Sequence, residues 1–176
     1  MKGRLSAVIA MAAFVIAVPY SAGLGATPAV GFTGTTIVMG TFVEIDVFNK
    51  VIPPDFWKSW VNSDVWLSWQ KTKGKSDLYI QNNAWQPGGT TGWHSHPGHS
   101  LIIITAGTVT NYESDDPHCT PHVYSAGMTL VDEGGDHNHN IRNEGAVVAA
   151  GYAVQLIPAG ATRRIDLLTA PPNCGF

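Results

Sequence analysis

The sequence predicts an all-β fold, one domain rolled into a barrel or sandwich. Three observations carry that expectation. Nineteen Gly and 11 Pro in 176 residues supply turns at short intervals. Between them lie short runs of β-branched and aromatic residues. No long stretch has the 3.6-residue apolar period of an amphipathic helix. With 44 % hydrophobic and 13 % charged residues the chain can bury a core, which excludes a disordered polypeptide.

The elements follow in order. Lys2 and Arg4 precede an apolar run, Leu5 to Val18, and the small residues Ala22, Gly23 and Ala26 come next. This is the pattern of an export signal over residues 1–26, cleaved near Ala26. The run is shorter than the ~20 residues that span a bilayer; an uncleaved anchor is the alternative. A lipid anchor is not expected, because the segment has no Cys. Residues 27–75 read as an N-terminal extension with edge strands, and residues 76–176 as the barrel core and C-terminal tail. Within the extension, Thr35 to Phe48 reads as two strands broken at Gly40. Pro53 and Pro54 mark a loop, Phe56 to Trp60 a helical turn, and Val65 to Lys71 a strand. In the core, strands are expected at Leu78–Trp85, Leu101–Ile104, Thr108–Glu113, His122–Ser125, Met128–Val131, His139–Asn143, Ala146–Ile157 and Arg163–Leu168. Gln86–Thr91 and Asp132–Asn138 are expected as turns. The unbroken apolar run Leu101–Ile104 suggests a strand covered on both faces.

Removing Lys2 and Arg4 from the 10 basic side chains leaves 8 against 13 acidic ones, a net charge of −5 with His neutral. That balance argues against nucleic acid, or a membrane after cleavage of the signal, as the main partner. A small organic ligand or substrate is the partner expected, and a homodimer is open. The two cysteines, Cys119 and Cys174, both sit in Pro-rich loops. In an oxidising compartment they read as one disulfide. Two free thiols, or a metal site of Cys119 with His118 and His122, are the alternatives.

The chemistry is concentrated between Gly88 and Gly107. His94 and His96 stand two apart, so on a strand both imidazoles face the same side. His137 and His139 arrive about forty residues later. Two separated His clusters on strands suggest one divalent transition metal held between strands.

This arrangement resembles the cupin superfamily of jelly-roll barrels (the double-stranded β-helix). Gly88, five residues, His94-Ser95-His96, three residues, position 100, six residues and Gly107 match the first cupin motif, except that Ser100 stands in place of glutamate. His139, three residues and Asn143 match the end of the second motif, with Gly127 as its opening glycine. Its middle, DEGGDHNH, lacks the usual proline. The resemblance covers Ser76 to Ile157, about half the chain. It implies His94, His96 and His139 as metal ligands, with His99 and His137 in reserve. It gives Asn143 a hydrogen-bonding role, and Gly88 and Gly107 roles in turns. The metal (Zn, Fe, Mn, Ni or Cu) is not specified by residue type. Without the carboxylate, the set resembles a zinc centre or the three-His centre of cupin-like thiol dioxygenases.

The other prominent residues divide between two readings. Asp132, Glu133 and Asp136 are either acceptors for a ligand imidazole, a replacement for the missing glutamate, or a solvated acidic turn, the last expected for Asp132 and Glu133. Glu113, Glu133 and Asp136 are unranked proton-transfer candidates. Arg163 and Arg164 read as solvated. Trp57, Trp60, Trp66 and Trp69 form either a ligand platform or, as expected here, a cap on one end of the barrel. Trp93, beside His94, should face the opposite side. The function expected is an exported metal-binding cupin, a small-molecule metalloenzyme with dioxygenase-, isomerase- or hydrolase-like chemistry. The alternatives are a non-catalytic small-ligand or sugar-binding module and a structural envelope protein with an empty site. The place expected is secreted or extracytoplasmic.

Overall fold

A computed structural model describes residues 27–51 and 66–176. The export-signal expectation and the residues Trp57 and Trp60 lie outside these. Twelve strands occur among the described residues: β1 (Val30–Phe42), β2 (Asp46–Val51), β3 (Trp66–Lys71), β4 (Ser76–Thr90), β5 (His94–Ser95), β6 (Ser100–Ala106), β7 (Thr108–Glu113), β8 (His122–Ser125), β9 (Thr129–Asp132), β10 (His139–Arg142), β11 (Ala149–Pro158) and β12 (Ile165–Asp166). There is no helix among the described residues, and so none long and apolar enough to cross a membrane.

Ten strands form one antiparallel sheet folded into two walls. The first wall runs β1-β4-β11-β6-β9, and the second runs β12-β5-β10-β7-β8. They join where β4 crosses over and pairs Thr90 with Arg142 of β10. Two antiparallel walls closing on one interior are the jelly-roll barrel expected of the sequence. β4 spans both walls because its first ten residues lie between β1 and β11, while its last residues bend away through Pro87 and Gly88. The region read as a turn, Gln86–Thr91, is therefore mostly strand. Likewise β1 runs unbroken through Gly40, held by its full length of pairing to β4.

The interior follows strand alternation. On β6, Ser100, Ile102 and Ile104 point inward, while Leu101 and Ile103 remain about half exposed. The expectation of a strand covered on both faces fails here because no second layer packs on the outer face of this antiparallel wall among the described residues. Trp85, Ile102, Ile104, Val109, Leu130 and Ile141 form the apolar core, with Phe32 tilted against Trp85 at 5.2 Å between ring centres. Gly107, between β6 and β7, has φ of 66°, and a Cβ there would meet the Ala149 backbone at 2.8 Å. Only glycine fits that turn without strain.

A second, smaller cluster lies behind β5. Trp93 is fully buried against Tyr112 and Cys174, on the side away from His94. Its Nε1–H donates to the Phe176 carbonyl at 2.5 Å. Cys119 and Cys174 form a disulfide with Cα atoms 5.2 Å apart, tying the β7–β8 loop to the C-terminal tail. The free-thiol and Cys119 metal-site readings are thereby set aside.

β2 and β3 form a separate two-stranded ribbon. Trp66 and Trp69 stand on it, 55 % and 71 % exposed. They do not cap the barrel. Their six-residue strand pairs only with β2, so neither wall offers a surface to cover them.

Candidate metal centre

Adjacent strands of the second wall bring three imidazoles together. His139 on β10 is the direct cross-strand partner of His94 on β5. His96 follows His94 on the same face, two residues on. Each offers a ring nitrogen, and these three atoms all lie within 4.8 Å of one another. Ring centres are 4.3 Å apart for His94 and His139, 4.8 Å for His94 and His96, and 5.5 Å for His96 and His139.

Hydrogen bonds set which nitrogen faces inward. His94 Nδ1–H donates to the Gly92 carbonyl at 2.9 Å, and His96 Nδ1–H to the Arg163 carbonyl at 2.5 Å. A carbonyl only accepts, so both rings carry their proton on Nδ1 and leave the Nε2 lone pair free. His139 turns Nδ1 toward Asp132 Oδ1, 3.5 Å away. Burial drives all three toward the neutral form. It holds His94 well below the ordinary histidine value, helped by His139, Arg164 and His96. It lowers His96 as well, against the Arg163 carbonyl and Asp132, which favour the charged ring. His139 is brought down to about 4 by burial, despite the opposing pull of Asp132. Neutral imidazoles with oriented lone pairs are the donor set of a divalent transition metal, so the residues fit such an ion.

Asp132 differs from its expected place in a solvated turn. It is 6 % exposed and lies directly opposite Ser100 across β6 and β9. Ser100 Oγ–H donates to its Oδ2 at 3.0 Å, and the Gly134 N–H donates to Oδ1 at 3.0 Å. Oδ2 stands 3.6 Å from His96 Nε2. A carboxylate thus enters the site from the strand beside the one that carries Ser100. The sequence signal is parity. Leu130 faces inward, so Asp132 on the same strand must too. Ending the strand at Val131 hides this.

The reserve candidates lie elsewhere. His99 is apart from the triad, in a surface recess with Lys75 and Leu156 beyond the end of the ligand turn. His137 sits on the exposed β9–β10 turn, its Nδ1 3.1 Å from Asp115 and its Nε2 3.4 Å from Glu133. The turn residues between it and His139 carry its ring outward. Of the proton-transfer candidates, Asp136 and Glu133 are exposed, and Glu113 is half-buried with its carboxyl raised chiefly by that burial. Asn143 donates to the Trp85 and Val147 carbonyls, pinning the turn after β10 rather than touching the triad.

The triad opens into a chamber of about 230 Å³. Gln81, Asn83, Trp85 and Gln155 line it, and no Asp or Glu is among its lining residues. Two buried polar atoms of these residues, Asn83 Oδ1 and Trp85 Nε1, have no protein partner. Arg163 and Arg164 also line it, where the sequence reading left them in solvent. Arg163 is held by Gln155 at 3.1 Å and stacks over Tyr79 at 4.2 Å, and Arg164 donates to the Thr91 carbonyl at 2.6 Å.

No protein-family profile and no curated protein sequence matches this chain. Among solved structures, a predicted oxalate decarboxylase from Thermotoga maritima is 19 % identical, with a TM-score of 0.39 over 48 % of this chain and 83 % of its own. A cupin superfamily protein from Desulfitobacterium hafniense is 16 % identical, TM-score 0.40, over 46 % and 67 %. An oxalate oxidase is 22 % identical, TM-score 0.39, over 47 % of this chain and 46 % of its own, so the match spans less than half of that enzyme. At these values the chemistry of the site rests on the chain's own residues.

Proposed function

We propose that this is a metal-binding cupin-type protein in which His94, His96 and His139 hold one divalent transition metal beside a small-ligand chamber. The observation that carries the reading is the gathering of three neutral ring nitrogens within 4.8 Å, two with their Nδ1 protons committed to backbone carbonyls. A bound ion would act as a Lewis acid toward an oxygen of the chamber's occupant. Around it, Asp132 orients His139 and supplies the negative charge that three neutral rings lack. The unpaired Trp85 N–H and Asn83 carbonyl give a small polar organic ligand one donor and one acceptor. Arg163 and Arg164 favour an occupant with anionic character.

Metal analysis of protein purified without an affinity tag tests this. One equivalent of metal is expected, lost in His94→Ala and His139→Ala, with affinity reduced about 10- to 100-fold in Asp132→Asn. Protein that takes up no metal under any loading condition refutes it.

A second reading, a non-catalytic binding module, is favoured because no Asp or Glu lines the chamber and the nearby Asp132 carboxylate is already engaged by Ser100 and the Gly134 N–H. Oxygen uptake and hydrolysis screens on the metal-loaded protein separate the two, since turnover of any small substrate excludes the second. Export through residues 1–26 belongs to the same proposal, and the disulfide favours an oxidising compartment. N-terminal sequencing of the secreted form checks it; a chain retained in the cytoplasm would overturn it.

A further inference from the structure

A second cavity, of about 260 Å³, meets the triad at His139. His139 lines both cavities. The two differ in charge. The second is walled by Glu113, Asp115, Asp132 and Glu133, and neither Lys nor Arg lines it. The chamber has Arg163 and Arg164 instead, and no carboxylate.

We propose that the acidic cavity is the route by which the divalent cation reaches the triad. This rests on the metal-centre reading above and adds a path to it. A dication approaching through the chamber meets two guanidinium groups, whereas through the acidic cavity it meets four carboxylates. The polar residues run in order from the rim to the triad. Glu133 and Asp115 stand at the exposed rim, bridged by His137. Deeper, Glu113 is the cross-strand partner of His139 itself. Beside it, Asn111 is 3 % exposed and donates its amide to Glu113 at 2.6 Å. Its carbonyl Oδ1 is buried with no partner among the described residues, an acceptor free for a cation or its water. The carboxylates attract without holding. Among the described residues, only His94, His96 and His139 gather their donor atoms closely enough to enclose an ion.

The test is the rate at which metal-free full-length protein takes up Co²⁺, followed by the visible absorption of the bound ion. Asp115→Asn and Glu133→Gln are both on the exposed rim, so the fold is spared. Their combination should slow loading about tenfold at low ionic strength, with the difference vanishing in high salt and the equilibrium affinity unchanged. Glu44→Gln with Asp46→Asn, the same loss of charge at the exposed β2–β3 ribbon, is the control and should leave the rate within about twofold. Loading that ignores the acidic pair, or that slows equally in the ribbon pair, overturns the proposal. An equal loss of affinity and rate in the acidic pair also overturns it, because those residues would then be ligands. A wild-type protein that binds no Co²⁺ fails the metal-centre reading itself, an outcome distinct from the other two.

Discussion

Three imidazoles kept neutral by burial make the metal-free site sensitive to acid. An unfolded histidine titrates near 6.5. In the folded chain His94 and His96 are lowered and His139 titrates near 4. Between those values the unfolded chain binds more protons than the folded one, so stability falls as pH drops. The contribution is intact above about pH 6.5 and gone by about pH 4, a loss on the order of 3 kcal/mol from His139 alone. The expected result is a urea midpoint for metal-free protein markedly lower at about pH 4.5 than at 7.5, with a weaker dependence in His139→Gln. A midpoint that stays level would mean the rings are not held neutral. At this scale the His94, His96 and His139 convergence is legible in the sequence, because strand spacing and two motif fragments mark those positions. Asp132 is not, since a strand read as ending at Val131 leaves the next residue in the turn, where alternation assigns it no face.

At the scale of the elements, most strands are legible from their β-branched runs, but their outer faces are not. Val38, Ile80, Val154, Leu101 and Val131 stand side by side across β1, β4, β11, β6 and β9, each paired to the next. Val38, Leu101 and Val131 are more than half exposed. Alternation alone says these side chains face away from the core, and not what meets them there. Leu101→Lys on this outer face should leave the melting temperature nearly unchanged, whereas Ile102→Lys on the buried face should lower it sharply; equal effects in a thermal melt would contradict the alternation.

At the scale of the molecule, the Cys119–Cys174 link closes a loop across a sequence separation of 55 residues. Chain-entropy reasoning gives such a loop about 4 kcal/mol. Cys119→Ser with Cys174→Ser should lower the melting temperature by well over 10 °C without abolishing metal uptake, because the triad sits on the far side of β5 from that link. An unchanged melting temperature would show the tail to be idle. Its pairing is legible from cysteine count and compartment. The wrap of the two walls is not, because it depends on β4 serving both, which no local pattern announces. That shared strand also governs how lineages of this protein can vary in length. A residue inserted into β4 would turn Asn83 and Trp85 outward and unseat Thr90 from Arg142 in the same event. The β2–β3 ribbon has no such double duty. Insertions and deletions can drift there over evolutionary time while the barrel's dimensions stay frozen.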